Sequence, residues 1–226
     1  IRLQGAPPLL ATPAPATPLK VGDRAGFTVT NSDSNETFTV MARLAAAGEH
    51  IYMWVDEAAD VPDALLADLT RGFDQRVYPQ VRELWGSEAN PGVDGDPRIY
   101  ALFASGVGPT AAAYFASDNT VPSAYVPTSN GHEMFIFNAD ALAGYDAAAI
   151  ESIMGHEFQH MIRDNLQPNE ELWINEGFAE FTQLYLFDEQ LNWVPDFLTF
   201  PDTQLNVWNE NSALRGYNYG SSLAFV

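Results

Sequence analysis

Cysteine is absent from the 226 residues of this chain, which excludes a disulfide framework, a thiol nucleophile and any cysteine-ligated zinc or iron–sulfur centre. Lysine is nearly absent. Lys20 is the one example and sits in a proline-rich segment, so Schiff-base chemistry has no good candidate. Basic residues as a class are scarce, 10 against 30 acidic ones, and the net charge of −20 repels phosphate backbones and anionic lipid. No nucleic-acid partner is therefore expected. No apolar run approaches the roughly 20 residues that span a bilayer, so membrane insertion is not expected either. The acidity itself is read as a solubilising surface, with calcium binding or adaptation to salt as the alternatives. Core material, by contrast, is plentiful: 46% hydrophobic and 12% aromatic residues suffice for one packed domain with at most a small appendage.

Three stretches follow from local composition. Residues 1–20 carry Pro7, Pro8, Pro13, Pro15 and Pro18 among alanines and threonines, and the fixed φ of proline predicts an extended linker. Such a leader ahead of a cysteine-free acidic domain fits a mature exported protein. Residues 21–48 predict a β-hairpin, with Phe27–Thr30 and Thr37–Val40 flanking a turn cluster at Asn31–Asn35. Residues 49–226 form the main domain. Within it, His50–Val55, Arg98–Phe103 and Met134–Phe137 are predicted strands, and a short strand is expected near Ala113–Phe115. A long helix is expected from Val61, with Asp60 as its N-cap, Leu65, Leu66, Leu69, Phe73, Val77 and Val81 on its apolar side, and Pro79 kinking or ending it. In the Asn90–Pro97 loop, Asp94 and Asp96 are read as turn formers, a calcium site being the alternative.

Chemistry concentrates in the next segment. Asp146 can cap a helix through Ala147–Ile162 that contains His156-Glu157-Phe158-Gln159-His160. Four residues along a helix turn by about 400° and rise about 6 Å, so the two imidazoles share one face, one turn apart. Both rings can then reach one metal ion, with Glu157 about 100° around and free to address a water there. Only four histidines exist in the chain, and two of them fall in this register on a helix with an apolar side. A catalytic zinc takes three protein ligands and keeps a position open. A glycine at 163 and a histidine at 166 would supply a third ligand in one known pattern, but Arg163 and Leu166 stand there. After Pro168 a second helix is predicted over Leu172–Leu184, carrying Glu176 and Glu180 one turn apart on an otherwise apolar surface. Two carboxylates buried there need compensation, which a cation between the helices would give. Glu176 is the candidate third ligand.

Taken together, His156-Glu-Phe-Gln-His160 and Trp173-Ile-Asn-Glu-Gly-Phe-Ala-Glu-Phe181 resemble the gluzincin branch of zinc metallopeptidases, which includes thermolysin and the aminopeptidase N group. The layout is most similar to bacterial secreted peptidases of the hyicolysin type, although the 15 residues between His160 and Glu176 are fewer than thermolysin or aminopeptidase N uses. The resemblance implies an α+β, zincin-like (thermolysin-like) domain over 49–226, with a twisted, mostly-β N-terminal part, an active-site helix and a second ligand-bearing helix. It also implies a further C-terminal helical lobe, expected to be truncated here. Zn2+ would be held by His156, His160 and Glu176, with Glu157 as general base and Glu180 orienting a histidine ligand. An oxyanion donor is expected from Tyr217 or Tyr219, in a Tyr-x-x-Gly-like segment before Gly220. Peptide or protein substrates and a secreted or cell-surface location follow from the same resemblance. The Gly-Ala-Met-Glu-Asn motif of aminopeptidases is absent, which favours an endopeptidase; a zinc aminopeptidase and a catalytically silent surface-binding domain are the alternatives.

Overall fold

The computed structural model describes residues 17–189, 193–209, 211 and 214–226; most of the predicted linker, residues 1–16, lies outside the described residues. Six strands make one mixed sheet in the order β1-β2-β3-β4-β6-β5. They are β1 (Arg24–Thr30), β2 (Thr37–Ala47), β3 (Ile51–Asp56), β4 (Ile99–Ala104), β5 (Ala113–Phe115) and β6 (Met134–Asn138). The β1–β2 hairpin continues antiparallel into β3, β3 runs parallel to β4 and β4 to β6, and β5 lies antiparallel on the outer side of β6. The central strands are buried along their whole lengths, which is why Ile51–Asp56, Ile99–Ala104 and Met134–Asn138 are almost uninterruptedly apolar.

Strand alternation sorts these residues into two cores. On one face Ile51, Met53, Val55, Phe103, Phe135 and Phe137 meet the helices. On the other, Tyr52, Trp54, Tyr100, Leu102 and Ile136 meet Phe27, Val29, Val40, Ala42 and Leu44 of the hairpin. That second face is closed by curling of the sheet. Phe27 packs edge-on to Trp54 at 5.1 Å, the Thr30 amide donates to the Tyr114 hydroxyl at 2.9 Å, and the Thr28 amide donates to Asn130 Oδ1 at 2.7 Å. The hairpin edge and the β5 edge are thereby joined by side chains.

The helical layer begins with α1 (Asp63–Gly72), a wide turn at Phe73–Val77, and α2 (Tyr78–Trp85). Two expectations are corrected here. Pro62, not Asp60, occupies the N-cap, and no side chain caps that end. Pro79 does not end the helix: it lies in the first turn of α2, where the wide turn before it accommodates its missing N–H. α3 (Ala147–Leu166) opens as expected, with Asp146 accepting the Ala149 amide at 2.9 Å. Phe158 of α3 is fully buried, and its ring meets Phe73 at 5.6 Å, Tyr78 at 5.6 Å and Phe135 at 6.2 Å. α4 (Leu172–Phe187), α5 (Trp193–Thr199) and α6 (Arg215–Phe225) complete the described elements. The mixed α+β class agrees with the sequence.

In the 90–97 loop the acidic side chains are engaged by protein donors. Asp94 accepts the Asp96 amide at 2.8 Å and lies 2.8 Å from His132 Nδ1, while Asp96 accepts from the Tyr52 hydroxyl at 3.1 Å and the Arg98 guanidinium at 3.2 Å. Glu133 is buried beneath this loop and accepts the Val93 amide at 2.9 Å. Burial pushes its pKa up to about 7, the Val93 amide opposing and Asp94 and Glu88 adding to the rise.

A carboxyl group with a raised folded-state pKa binds more protons folded than unfolded, so its contribution to stability is present in acid and lost as pH rises through about 7. Removing that dependence with Glu133→Gln is expected to flatten the fall in urea midpoint between pH 5 and 8 relative to wild type. An unchanged slope would mean that Glu133 titrates alike in both states. Separately, Phe158→Ala should lower unfolding free energy by about 3–5 kcal/mol in the same assay.

Candidate metal centre

α3 and α4 approach closely because of one residue on α3. A Cβ on Gly155 would collide with the Phe187 ring of α4, so glycine here leaves room for that ring against α3. Trp85 reinforces it from α2, donating from Nε1 to Thr182 Oγ1 at 2.8 Å and packing on Phe178 at 4.8 Å. Arg163, near the end of α3, pairs with Glu170 in the connection to α4, with its Nε at 2.7 Å. These contacts fix the rotation of the two helices. His156 and His160 then face Glu176 across the interface.

Ligand atoms of His156, His160 and Glu176 all lie within 4.8 Å of one another. The two Nε2 atoms are 3.1 Å apart, and each is 3.5 Å from Glu176 Oε2. Donors at about 2.0–2.1 Å from a tetrahedral zinc ion stand about 3.3 Å apart, so this triangle has the size of one face of such a site. Among the described residues, Glu176 Oε2 is buried without a hydrogen-bond partner, which a directly coordinated cation would remedy. The donor set of two imidazoles and one carboxylate suits zinc. A zinc ion fits these residues.

Electrostatics point the same way. Burial disfavours the charged His156 ring, yet Glu176, Glu157 and Glu180 overcome it and push its pKa up to about 10. His160 shifts upward too, against burial, chiefly through Glu176. For Glu176 burial opposes ionisation, but His160 and His156 hold its carboxyl well below the usual range. Burial pushes Glu157 and Glu180 up, Glu180 to about 7. The carboxylates thus demand positive charge at this point, which protons or a divalent cation can supply.

The remaining expected residues are placed as follows. Glu157 is buried on α3, lines the cleft, and has the Phe115 backbone amide of β5 favouring its charged form. Tyr219 lines the same cleft, stacked on Trp193 at 5.5 Å and edge-on to Trp208 at 5.0 Å, and burial raises its pKa well above the ordinary phenol value. Tyr217 is not brought to the centre. Two residues along a helix are about 200° apart, and its ring packs on Phe200 at 4.5 Å. Glu180 Oε1 stands 3.7 Å from His156 Nδ1, and the hydrogen bond expected of it is made instead by Gln183 Oε1 at 3.0 Å. Gln183 gave one sequence signal, its spacing of seven from Glu176, which repeats the same helix face.

The centre opens into a cleft of 840 Å³ bounded by β5, α3 and α6, and into a second one of 240 Å³ lined by Ser117, Arg163, Gln167 and Asn175. Phe115, His160 and Glu176 border both, so space extends to either side of the triad. Gly177 lets α6 lie against α4, since a Cβ there would stand 2.7 Å from the Ser222 carbonyl oxygen. That closeness is what carries Tyr219 to the cleft wall.

The class so defined is an α+β protein with a largely buried, helix-borne His-His-Glu centre fit for a metal ion. Among known proteins, no family model matches the chain. It is 27% identical over 173 residues to the neutral metalloprotease ShpI of Staphylococcus hyicus, covering 71% of this chain and 39% of that protein. The chain therefore spans well under half of that relative's length. The similarity supports a relationship to metallopeptidases.

Zinc added to chelator-treated protein at a hundredfold excess over its Kd should stabilise it by about 2.7 kcal/mol, or roughly 5–10 °C in Tm. His160→Ala and Glu176→Ala should each abolish most of that gain in a thermal-shift titration. A variant that keeps the full shift would place the ion elsewhere.

Proposed function

We propose that this chain carries the catalytic centre of a zinc-dependent endopeptidase of the gluzincin type, with a zincin-like fold over residues 49–226 and the 21–48 hairpin sealing its sheet. The observation that carries this reading is the largely buried His156–His160–Glu176 triangle with an additional acid, Glu157, on the cleft wall beside it. A purely structural zinc site is closed by four protein ligands and has no use for that acid. This weighs against a silent binding domain.

His156, His160 and Glu176 would hold the ion. Bound there, zinc supplies Lewis acidity, acidifying water and polarising a carbonyl. Glu157 takes the proton of the attacking water and passes it to the departing amine. Tyr219 remains protonated and donates its O–H to the developing oxyanion. β5 is the outer strand of the sheet and borders the cleft, so an extended peptide can add to it by main-chain hydrogen bonds.

Two features favour internal cleavage over removal of N-terminal residues. The aminopeptidase anchoring motif is missing, and the cleft continues past the centre on both sides. Peptide or protein is the substrate class. No described helix is long and apolar enough to cross a membrane.

Casein digestion with zinc quantified in parallel tests the reading. Glu157→Gln is expected to retain about one zinc per chain while losing about 10²–10⁴-fold in kcat. Tyr219→Phe should lose about 10²–10³-fold in kcat with little change in KM. Zinc bound by the parent without any internal cleavage would refute the endopeptidase assignment, and release of N-terminal residues alone would transfer it to an aminopeptidase.

A further inference from the structure

We propose that Gln183 is the positioning residue of the metal centre: its side-chain carbonyl fixes His156 as the Nδ1–H tautomer and so turns the Nε2 lone pair toward His160 and Glu176. The inference rests on the reading of that triad as a metal site, but not on peptidase activity.

Gln183 bridges the two helices that carry the ligands. Its Oε1 is 3.0 Å from His156 Nδ1, and its Nε2 donates to Ser152 Oγ at 3.0 Å. Ser152 is buried on α3, one turn before His156. The ring itself sets the direction of the other bond. His156 Nε2 is the nitrogen found 3.1 Å from His160 Nε2 and 3.5 Å from Glu176 Oε2, so it is the one placed to ligate. A neutral imidazole that ligates through Nε2 carries its proton on Nδ1, and the Gln183 carbonyl oxygen 3.0 Å away accepts it.

Glu180 is the competing partner, and the geometry places it second. Its Oε1 is 3.7 Å from the same nitrogen, beyond hydrogen-bond distance. An amide also suits the charge balance. Glu176 and Glu180 already stand 3.5 Å and 3.7 Å from the two His156 ring nitrogens, so negative charge is plentiful there. A neutral acceptor orients the imidazole without adding that charge. Among the described residues His160 has no equivalent, since its Nδ1 is buried without a partner there. Gln183 is thus the hydrogen-bonded anchor between the imidazole pair and α4.

The test is zinc affinity of the whole chain, measured by competition with a chromophoric chelator, with 15N-detected imidazole spectra of the zinc-loaded protein. Gln183→Leu is expected to weaken zinc about 10–100-fold and to broaden or shift the His156 Nδ1–H signal. Gln183→Glu, which restores an accepting oxygen, should recover most of the affinity, and Glu180→Gln should lose less than Gln183→Leu. Wild-type affinity and an unaltered Nδ1–H signal in Gln183→Leu would overturn the proposal, as would a larger loss in Glu180→Gln. Should Gln183→Leu fail to fold, Ser152→Ala reads the same contact: weakened zinc binding beside a tight Gln183→Glu supports the role, and unchanged binding overturns it. Absence of zinc binding in the wild-type chain would instead refute the metal site itself, and cleavage plays no part in any of these outcomes.

Discussion

Two imidazoles and three carboxylates are wholly or largely buried within one helix–helix interface, and their need for mutual compensation is the constraint on which this structure turns. His156, His160 and Glu157 come from α3, Glu176 and Glu180 from α4. Buried alone, any one of these charges would be costly; together they leave unmet carboxylate oxygens and closely opposed ring nitrogens that a cation satisfies. The interface must then be rigid, because ligand atoms displaced by an ångström no longer share an ion. Gly155 leaves room for the Phe187 ring, Trp85 and Arg163 hold the crossing, and Gln183 ties His156 to α4.

The sheet serves this interface in two ways. Its helix-facing side gives α3 a bed of aromatic residues, where Phe158 anchors the helix two residues from each histidine. Its far end supplies β5, whose backbone at Phe115 stands beside Glu157 and borders the cleft on both sides of the centre. Curling of the sheet matters for the same reason. The bond from Thr30 to the Tyr114 hydroxyl ties β5 to the hairpin at the opposite edge, so a three-residue strand is held in place although it pairs with only one neighbour.

Much of this was legible in the residues. Central strands could be found because burial on both faces demands unbroken apolar runs, and α3 because its cap and its i, i+4 histidines are local features. Local rules failed where a wider context intervened. Asp60 has the chemistry of a cap, yet the chain enters α1 only at Asp63, and Pro79 lies within a helix because five residues before it adopt a wider turn. The third ligand was inferable from the cost of burying Glu176, but its partner helix had to be taken from resemblance.

Helical spacing by itself determined which pairs could share a face: His156 with His160, Glu176 with Glu180, and, on the same stripe, Gln183. It also dictated that Tyr217 and Tyr219 point to nearly opposite sides of one helix. Spacing holds no information about which face meets which neighbour. The choice of Tyr219 over Tyr217, of Gln183 over Glu180 at His156, and of the distances that make three side chains one site came from tertiary packing alone. They depend on the separation and rotation of α3, α4 and α6, set by contacts between residues far apart in the chain, such as Gly155 with Phe187 and Gly177 with Ser222.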